Sequence, residues 1–305
     1  MTAARTRREH YVPRFYLDFF GESLFGFDKL SGSAFRASSK NIALERGFYD
    51  LDPMIDLESV IAENESRMRA GMSELIDKMN PVAISEDARI TTSLFVALQF
   101  VRTKEYRAMI QESGSKLMTE IMKKDPQFKD EDFQIIMKDE LAQALQAQTI
   151  AGNYAVPQVG WTLGHSLWTL LVNRTSVPFW TSDNPVALFN PIHSGVGFAV
   201  RGNQTHFPLN GKLLLLILDP FSYNSLPVKI IKQQEAVSFE NSLQLYAATR
   251  FVMSPDDHFT MAKKIWDEDE TLRKPQERVI LRKVTSAGKP VLEIRNRMRT
   301  LIERA

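Results

Sequence analysis

Cysteine is missing from all 305 residues, which excludes disulfides, thiolate nucleophiles and cysteine-held zinc. Histidine is scarce. His10, His165, His193, His206 and His258 are the five, and none of their spacings repeats the paired histidines of a helical metal site. No sign of charge dominates: 38 basic side chains stand against 37 acidic ones, so no overall field draws the chain to nucleic acid or to a membrane surface. The longest apolar run, Leu213–Leu218 in KLLLLILD, is far too short to span a bilayer. The N-terminus, MTAARTRREHYVP, is basic but lacks the apolar core of a secretory signal, and a cytoplasmic location is the expectation. Phosphate-cradling loops are missing too. SGSAF and ESGSKL lack the GxxxxGK[ST] frame, no GxGxxG follows a strand, and no GxSxG elbow surrounds Ser182.

What is present is an ordinary globular composition, 44% hydrophobic and 25% charged, with length for one large domain or two of usual size. HYVPRFYLDFFGESLFGFDK is aromatic and punctuated by glycine, and reads as extended segments around a short helical turn. Helical spacing then takes over. Ile61, Met68, Met72 and Leu75 share a face, and Asn80-Pro81 ends the segment. Ser85 is placed to N-cap the next helix, with Glu86 and Asp87 in the first turn, where the helix dipole favours anions. Two or three more helices follow, interrupted near Lys124-Asp125-Pro126, and a helix carrying Trp161, Leu167, Trp168 and Leu171 closes this half.

The second half turns to short β-branched and aromatic runs bounded by Gly, Pro, Asn or Asp: VPFWTS, VALF, VGFAV, THFPL, LLLLIL and VKII. QQEAVSFENSLQLYAATR reads as a helix packed on that sheet, RFVMS as a returning strand, and RVILRKV as an edge strand. After Gly288, Val291, Ile294, Met298 and Leu301 fall on one face. Helices first and strands later give an α+β fold: an N-terminal aromatic extended segment, a central helical region, and a C-terminal mainly antiparallel sheet with packed helices. The expectation is one domain of two lobes, residues 54–175 mainly helical, and residues 1–53 with 176–305 mixed and strand-rich.

EHYVPRFYLDFF, GFYDLD, FVALQFVRT, PFWTSDNPV and FPLN occur here in an order that resembles a bacterial family, the domain-of-unknown-function 4238 family, over roughly Glu9 to Ser254. The resemblance implies no reaction or substrate. It places His10, Gln99, Arg102, Ser182, Asp183 and Asn184 at motif positions. Members often carry a second histidine before that of HYVP, where this chain has Glu9, which puts a role for paired histidines in doubt.

Seven residues carry the chemistry worth weighing. Glu65 shares the apolar stripe of its helix, and a buried carboxylate needs a partner. Glu63 and Arg67 can pair with each other at i,i+4, which leaves Glu65 without a local one. Phe95, Gln99, Arg102 and Tyr106 fall along one line of the following helix. Gln99 and Arg102 there can present several donors to an anionic or carbonyl group, or Arg102 can pair with Glu65 across a helical hairpin. His10, held before Tyr11-Val12-Pro13, can serve as acid, base or metal ligand, or sit in the core against a carbonyl. His165 fits that core account on its Trp161–Trp168 line. In Thr181-Ser182-Asp183-Asn184 a single Asx residue would suffice for a turn, and the surplus of polar groups suggests a site. The arginines Arg5, Arg7, Arg8, Arg295, Arg297 and Arg299 read as solvated faces, with Arg297 able to pair with Glu293.

Two functional expectations follow. In the first, His10, Glu65 and Asp183 act as catalytic groups or hold a divalent metal, while Gln99, Arg102, Ser182 and Asn184 bind substrate. The chain would then hydrolyse a phosphodiester or nucleotide-like anion in a cleft between the lobes. In the second, the same groups orient a small anionic ligand or lock the halves together without chemistry, and the basic tail meets a partner or nucleic acid. A bacterial defence or mobile-element context is a third setting, which neighbouring genes would reveal.

Overall fold

The computed structural model describes residues 8–46, 57–125, 134–192, 195–274, 277–286 and 289–297. GFYDLD, Arg5, Arg7, His193, Met298, Arg299 and Leu301 lie outside them. The chain enters as strand β1 (Arg8–His10), makes one short helix α1 (Arg14–Asp18), and forms a hairpin of β2 (Ser23–Asp28) and β3 (Ser33–Ser38). It then returns as β4 (Leu44–Arg46) to pair antiparallel with β1. Gly32 sits in the β2–β3 turn at φ +66, where the ring of Trp266 would lie 2.7 Å from any Cβ. Both the turn and the close approach require glycine there.

The helical lobe follows as α2 (Leu57–Lys78), α3 (Glu86–Val101), α4 (Lys104–Met122), α5 (Asp139–Ala151) and α6 (Ala155–His165). Ser85 caps α3, accepting the Ala88 N–H at 3.1 Å. The expected line through Tyr106 is broken, because α3 stops at Val101 and Arg102 is its C-cap. The Thr103 hydroxyl then accepts the Tyr106 N–H at 3.2 Å and starts α4 afresh. The closing helix also ends early. Leu167, Trp168 and Leu171, expected on it, belong to strand β5 (Leu167–Asn173). A continuous apolar run buried on both sides has no period to separate strand from helix. His165 does bond a backbone carbonyl, that of Trp161 at 2.8 Å, but its ring lies tilted against the Trp161 ring at the surface rather than in the core.

The strand lobe holds β6 (Thr181–Ser182), β7 (Ala187–Phe189), β8 (Gly195–Val196), β9 (Gln204–Asn210), β10 (Leu213–Leu218) and β11 (Val228–Ile231). Helix α7 (Gln234–Ala247), β12 (Phe251–Ser254), α8 (Thr260–Glu268), β13 (Val279–Ser286) and β14 (Lys289–Arg297) follow. The largest sheet runs β11-β5-β10-β9-β7, with β11 parallel to β5 and the other pairs antiparallel. Its apolar runs do not alternate because both faces are covered. Leu213, Leu215 and Ile217 join a core with Phe95 and Met72 of the helical lobe, whereas Leu214 packs with Leu171 and Val237 of α7. A second sheet, β3-β2-β12-β6, ties the N-terminal hairpin to the middle of the chain. The third, β13-β14-β8, makes β13 an edge strand as RVILRKV suggests. Val291 and Ile294 do not share a face, since they lie on β14 and residues three apart in a strand point to opposite sides. No described helix is long and apolar enough to cross a membrane.

Tyr16 of α1 joins the two lobes. It is fully buried, stacks on Phe207 with centroids 5.1 Å apart, and lies 5.9 Å from Phe95. Its hydroxyl meets Thr181 Oγ1 at 2.7 Å and donates to the Pro208 carbonyl at 2.8 Å. Segments that resemble the family motifs therefore meet at one aromatic knot.

Candidate functional site

The seven residues form two sets. In the first, the end of α3 clasps the HYVP segment. Arg102, 2% exposed, donates through Nη2 to the His10 carbonyl at 2.7 Å and through Nη1 to Glu65 Oε1 at 3.4 Å. Gln99 Nε2 donates to the Tyr11 carbonyl at 3.1 Å. The pairing of Arg102 with Glu65 across α2 and α3 is present, although the shorter of the two bonds goes to backbone. Burial holds His10 below the usual imidazole range, against the carbonyls of Ser39 and Lys40 and with help from the Arg102 and Arg14 charges. Its ring is therefore neutral near pH 7. His10 Nε2 and Gln99 Oε1 are both buried without a hydrogen-bond partner.

The second set answers why four polar side chains follow Trp180. Ser182 Oγ donates to Gln244 Oε1 at 2.9 Å and accepts the Asn184 N–H at 3.2 Å. Asn184 Nδ2 donates to the Ala247 carbonyl at 2.9 Å, and Gln244 Nε2 to that of Pro185 at 3.0 Å. Asn241 adds the Trp180 N–H at 2.8 Å and the Pro178 carbonyl at 3.0 Å. Asp183, 1% exposed, takes the N–H groups of Thr249 at 2.8 Å, Arg250 at 2.9 Å and Phe251 at 3.1 Å. The segment is thus fastened along α7 and across the turn into β12. Burial pushes Asp183 up to about 6, against those three amides and the nearby Lys29 charge. Lys29 is itself buried and donates to the Ala248 carbonyl at 2.6 Å.

Tyr11 lies between the sets. Its carbonyl is held by Gln99, and its phenol is raised first by burial and then by the charges of Asp183 and Glu45. Among the described residues no three His, Asp or Glu side chains are placed to hold a metal ion, so His10, Glu65 and Asp183 do not make a ligand set.

A cleft of about 90 Å³ does lie at the seam of the lobes, and of the seven residues only Asn184 lines it. Its floor is apolar, with Phe100, Tyr106, Val186 and Leu243 among the walls; Arg278, Asn296 and Arg297 of the C-terminal hairpin close one side. Both arginines already face acids. Arg278 Nε lies 3.0 Å from Glu105 Oε1, and Arg297 Nη1 lies 2.6 Å from Glu277 Oε2 rather than pairing with Glu293, which meets Arg295 at 2.9 Å. The sequence marks Arg297 only as a solvated arginine and does not single out Asn296; for Arg278 the basic alternation of RVILRKV was the one signal. Sequence reasoning also missed the buried pair of His206 and Glu240, 2.6 Å apart on β9 and α7, and the clamp residues Asn241 and Gln244, whose signal was polarity on the sheet-facing side of a helix. No curated protein and no solved structure matches the chain. Residues 8–258 match the family described as Protein of unknown function (DUF4238), and the chain belongs to that family.

Proposed function

We propose that the protein binds a small ligand without chemistry, in the cleft where Asn184 meets the α3–α4 turn and the C-terminal hairpin. One observation carries this reading: the polar groups of TSDN fasten the wall of that cleft instead of facing substrate. Pockets for drug-sized ligands measure roughly 300–1,000 Å³. A space of about 90 Å³ instead suits a ring-sized apolar group, free or on a partner's side chain, whose polar end meets Asn184, Asn296 or Arg297. A nucleotide is too large for it. Arg278, Lys283, Arg295 and Arg297 of the basic hairpin face glutamates, which leaves less of its charge free for nucleic acid.

Ala247 ends α7 and lines the cleft, and its carbonyl, not its side chain, holds Asn184. Ala247→Leu fills the space while leaving that bond. In ligand-observed NMR with small aromatic and aliphatic carboxylates and amides, the parent protein gives binders and Ala247→Leu loses them at unchanged melting temperature. Equal binding by both proteins sinks the reading.

A hydrolytic reading is favoured by one observation, the neutral His10 ring with its unpartnered Nε2, on a segment whose backbone Gln99 and Arg102 hold, with Arg102 also meeting the third-exposed Glu65. Activity on an activated phosphodiester that disappears in His10→Gln and in Glu65→Gln supports it. Activity surviving in both folded variants ends it.

A further inference from the structure

We propose that the β13–β14 hairpin is an ionically latched wall of the cleft, which leaves the body of the protein as salt screens its anchors. The hairpin lies beyond residue 258, where the family match ends, and it brings Arg278, Asn296 and Arg297 to the cleft. Its apolar hold is slight. Among its described residues only Val279 is fully buried, and Val291 and Ile294 are 44% and 40% exposed. Its backbone hold on the rest is the short pairing of Asn296 and Arg297 with Val196 and Gly195 of β8.

Charge supplies the remainder, spaced along α4. Glu105 meets Arg278 at 3.0 Å. One helical stretch on, the Glu112 carboxylate accepts the backbone N–H groups of Arg278 at 2.9 Å and Val279 at 3.3 Å. Lys116 bridges Glu112 at 2.8 Å, Glu277 at 2.6 Å and the Val279 carbonyl at 2.6 Å. Near the end of α4, Glu120 meets Lys283 at 2.9 Å. Partly exposed pairs of this kind weaken as the Debye length shrinks toward the separation of the paired charges themselves, whereas the apolar core of the main sheet does not loosen with salt. A two-stranded hairpin without a body to pack on is marginal, so release reads as lost amide protection. The latch rests on these contacts alone; only its consequence for ligand entry rests on the binding reading above.

Hydrogen exchange on the full chain tests it between about 0.01 M and 1 M sodium chloride, over which the Debye length shrinks from about 30 Å to about 3 Å. The expected result is a loss of protection of about tenfold or more in β13 and β14 while β5 and β10 hold. Lys116→Glu reproduces that loss at low salt. Should Lys116→Glu fail to fold, Lys283→Glu on an exposed pair gives a smaller loss that adding Glu120→Lys reverses. Hairpin protection that is constant across the salt range overturns the proposal, as does low-salt protection indifferent to these charge reversals. Neither outcome depends on whether a ligand is ever found.

Discussion

Asp183 is pulled in two directions. Three backbone N–H groups and Lys29 favour its carboxylate, but its burial is complete and outweighs them, setting it at about 6. In the unfolded chain the same group returns to its ordinary value of 3.8. Between those values the folded state holds a proton that the unfolded state has released. Stability from this group therefore falls as pH rises from about 4 to about 6, and is flat on either side. The size is on the order of 3 kcal/mol, at about 1.4 kcal/mol per pH unit of difference. Asn at this position cannot titrate. Denaturant unfolding of the parent and of Asp183→Asn across pH 4 to 7 should therefore show the parent's advantage shrinking as pH rises. An advantage that instead grows with pH means that the amide donors outweigh burial. Asp28, which burial raises but the bonds from Arg250, Leu30 and Ser31 bring below its ordinary value, slopes the opposite way in both proteins and cancels in the comparison.

At the scale of elements, the sequence was legible wherever local chemistry decided the outcome. Ser85 with Glu86 and Asp87 marks the start of α3 because a cap and a dipole act within one turn. The Ile61, Met68, Met72 and Leu75 stripe survives intact because one face of α2 is buried and the other is wet. Failures came where neighbours decide. Leu167–Asn173 is a strand because β10 and β11 flank it on both sides, and nothing within seven residues announces those partners. Val291 and Ile294 belong to a hairpin whose register with β13 pairs Arg282 with Glu293 and Leu281 with Ile294, information held by the other strand. The site was half legible for the same reason. Arg102, Gln99, Glu65 and His10 meet because adjacent helices and the strand they clasp are set by periodicity. Asp183 was read as a surplus polar group, and its actual partners are backbone amides of residues 249–251, which carry no side-chain signature.

For the whole molecule, two lobes described by composition are one body by packing. Phe95 and Met72 of the helical lobe and Phe207 and Leu215 of the main sheet belong to a single buried cluster, and Tyr16 is stacked within it. Neither lobe can open without exposing that cluster, at about 25 cal/mol for each Å² of apolar surface. A chain of this length ordinarily unfolds in steps. Here the shared core predicts that the lobes melt together, while the proposed ionic latch lets the hairpin leave first. Trp180, 1% exposed in the strand lobe, reports tertiary structure there once Trp161, Trp168 and Trp266 are replaced by Phe, and far-UV circular dichroism is dominated by the helical lobe. Guanidinium unfolding followed by both signals in one buffer should give coincident midpoints and one slope. Two separated transitions, with helix content surviving the change at Trp180, would show that the lobes hold themselves up independently and that the aromatic knot at Tyr16 is a contact between domains, not a shared core.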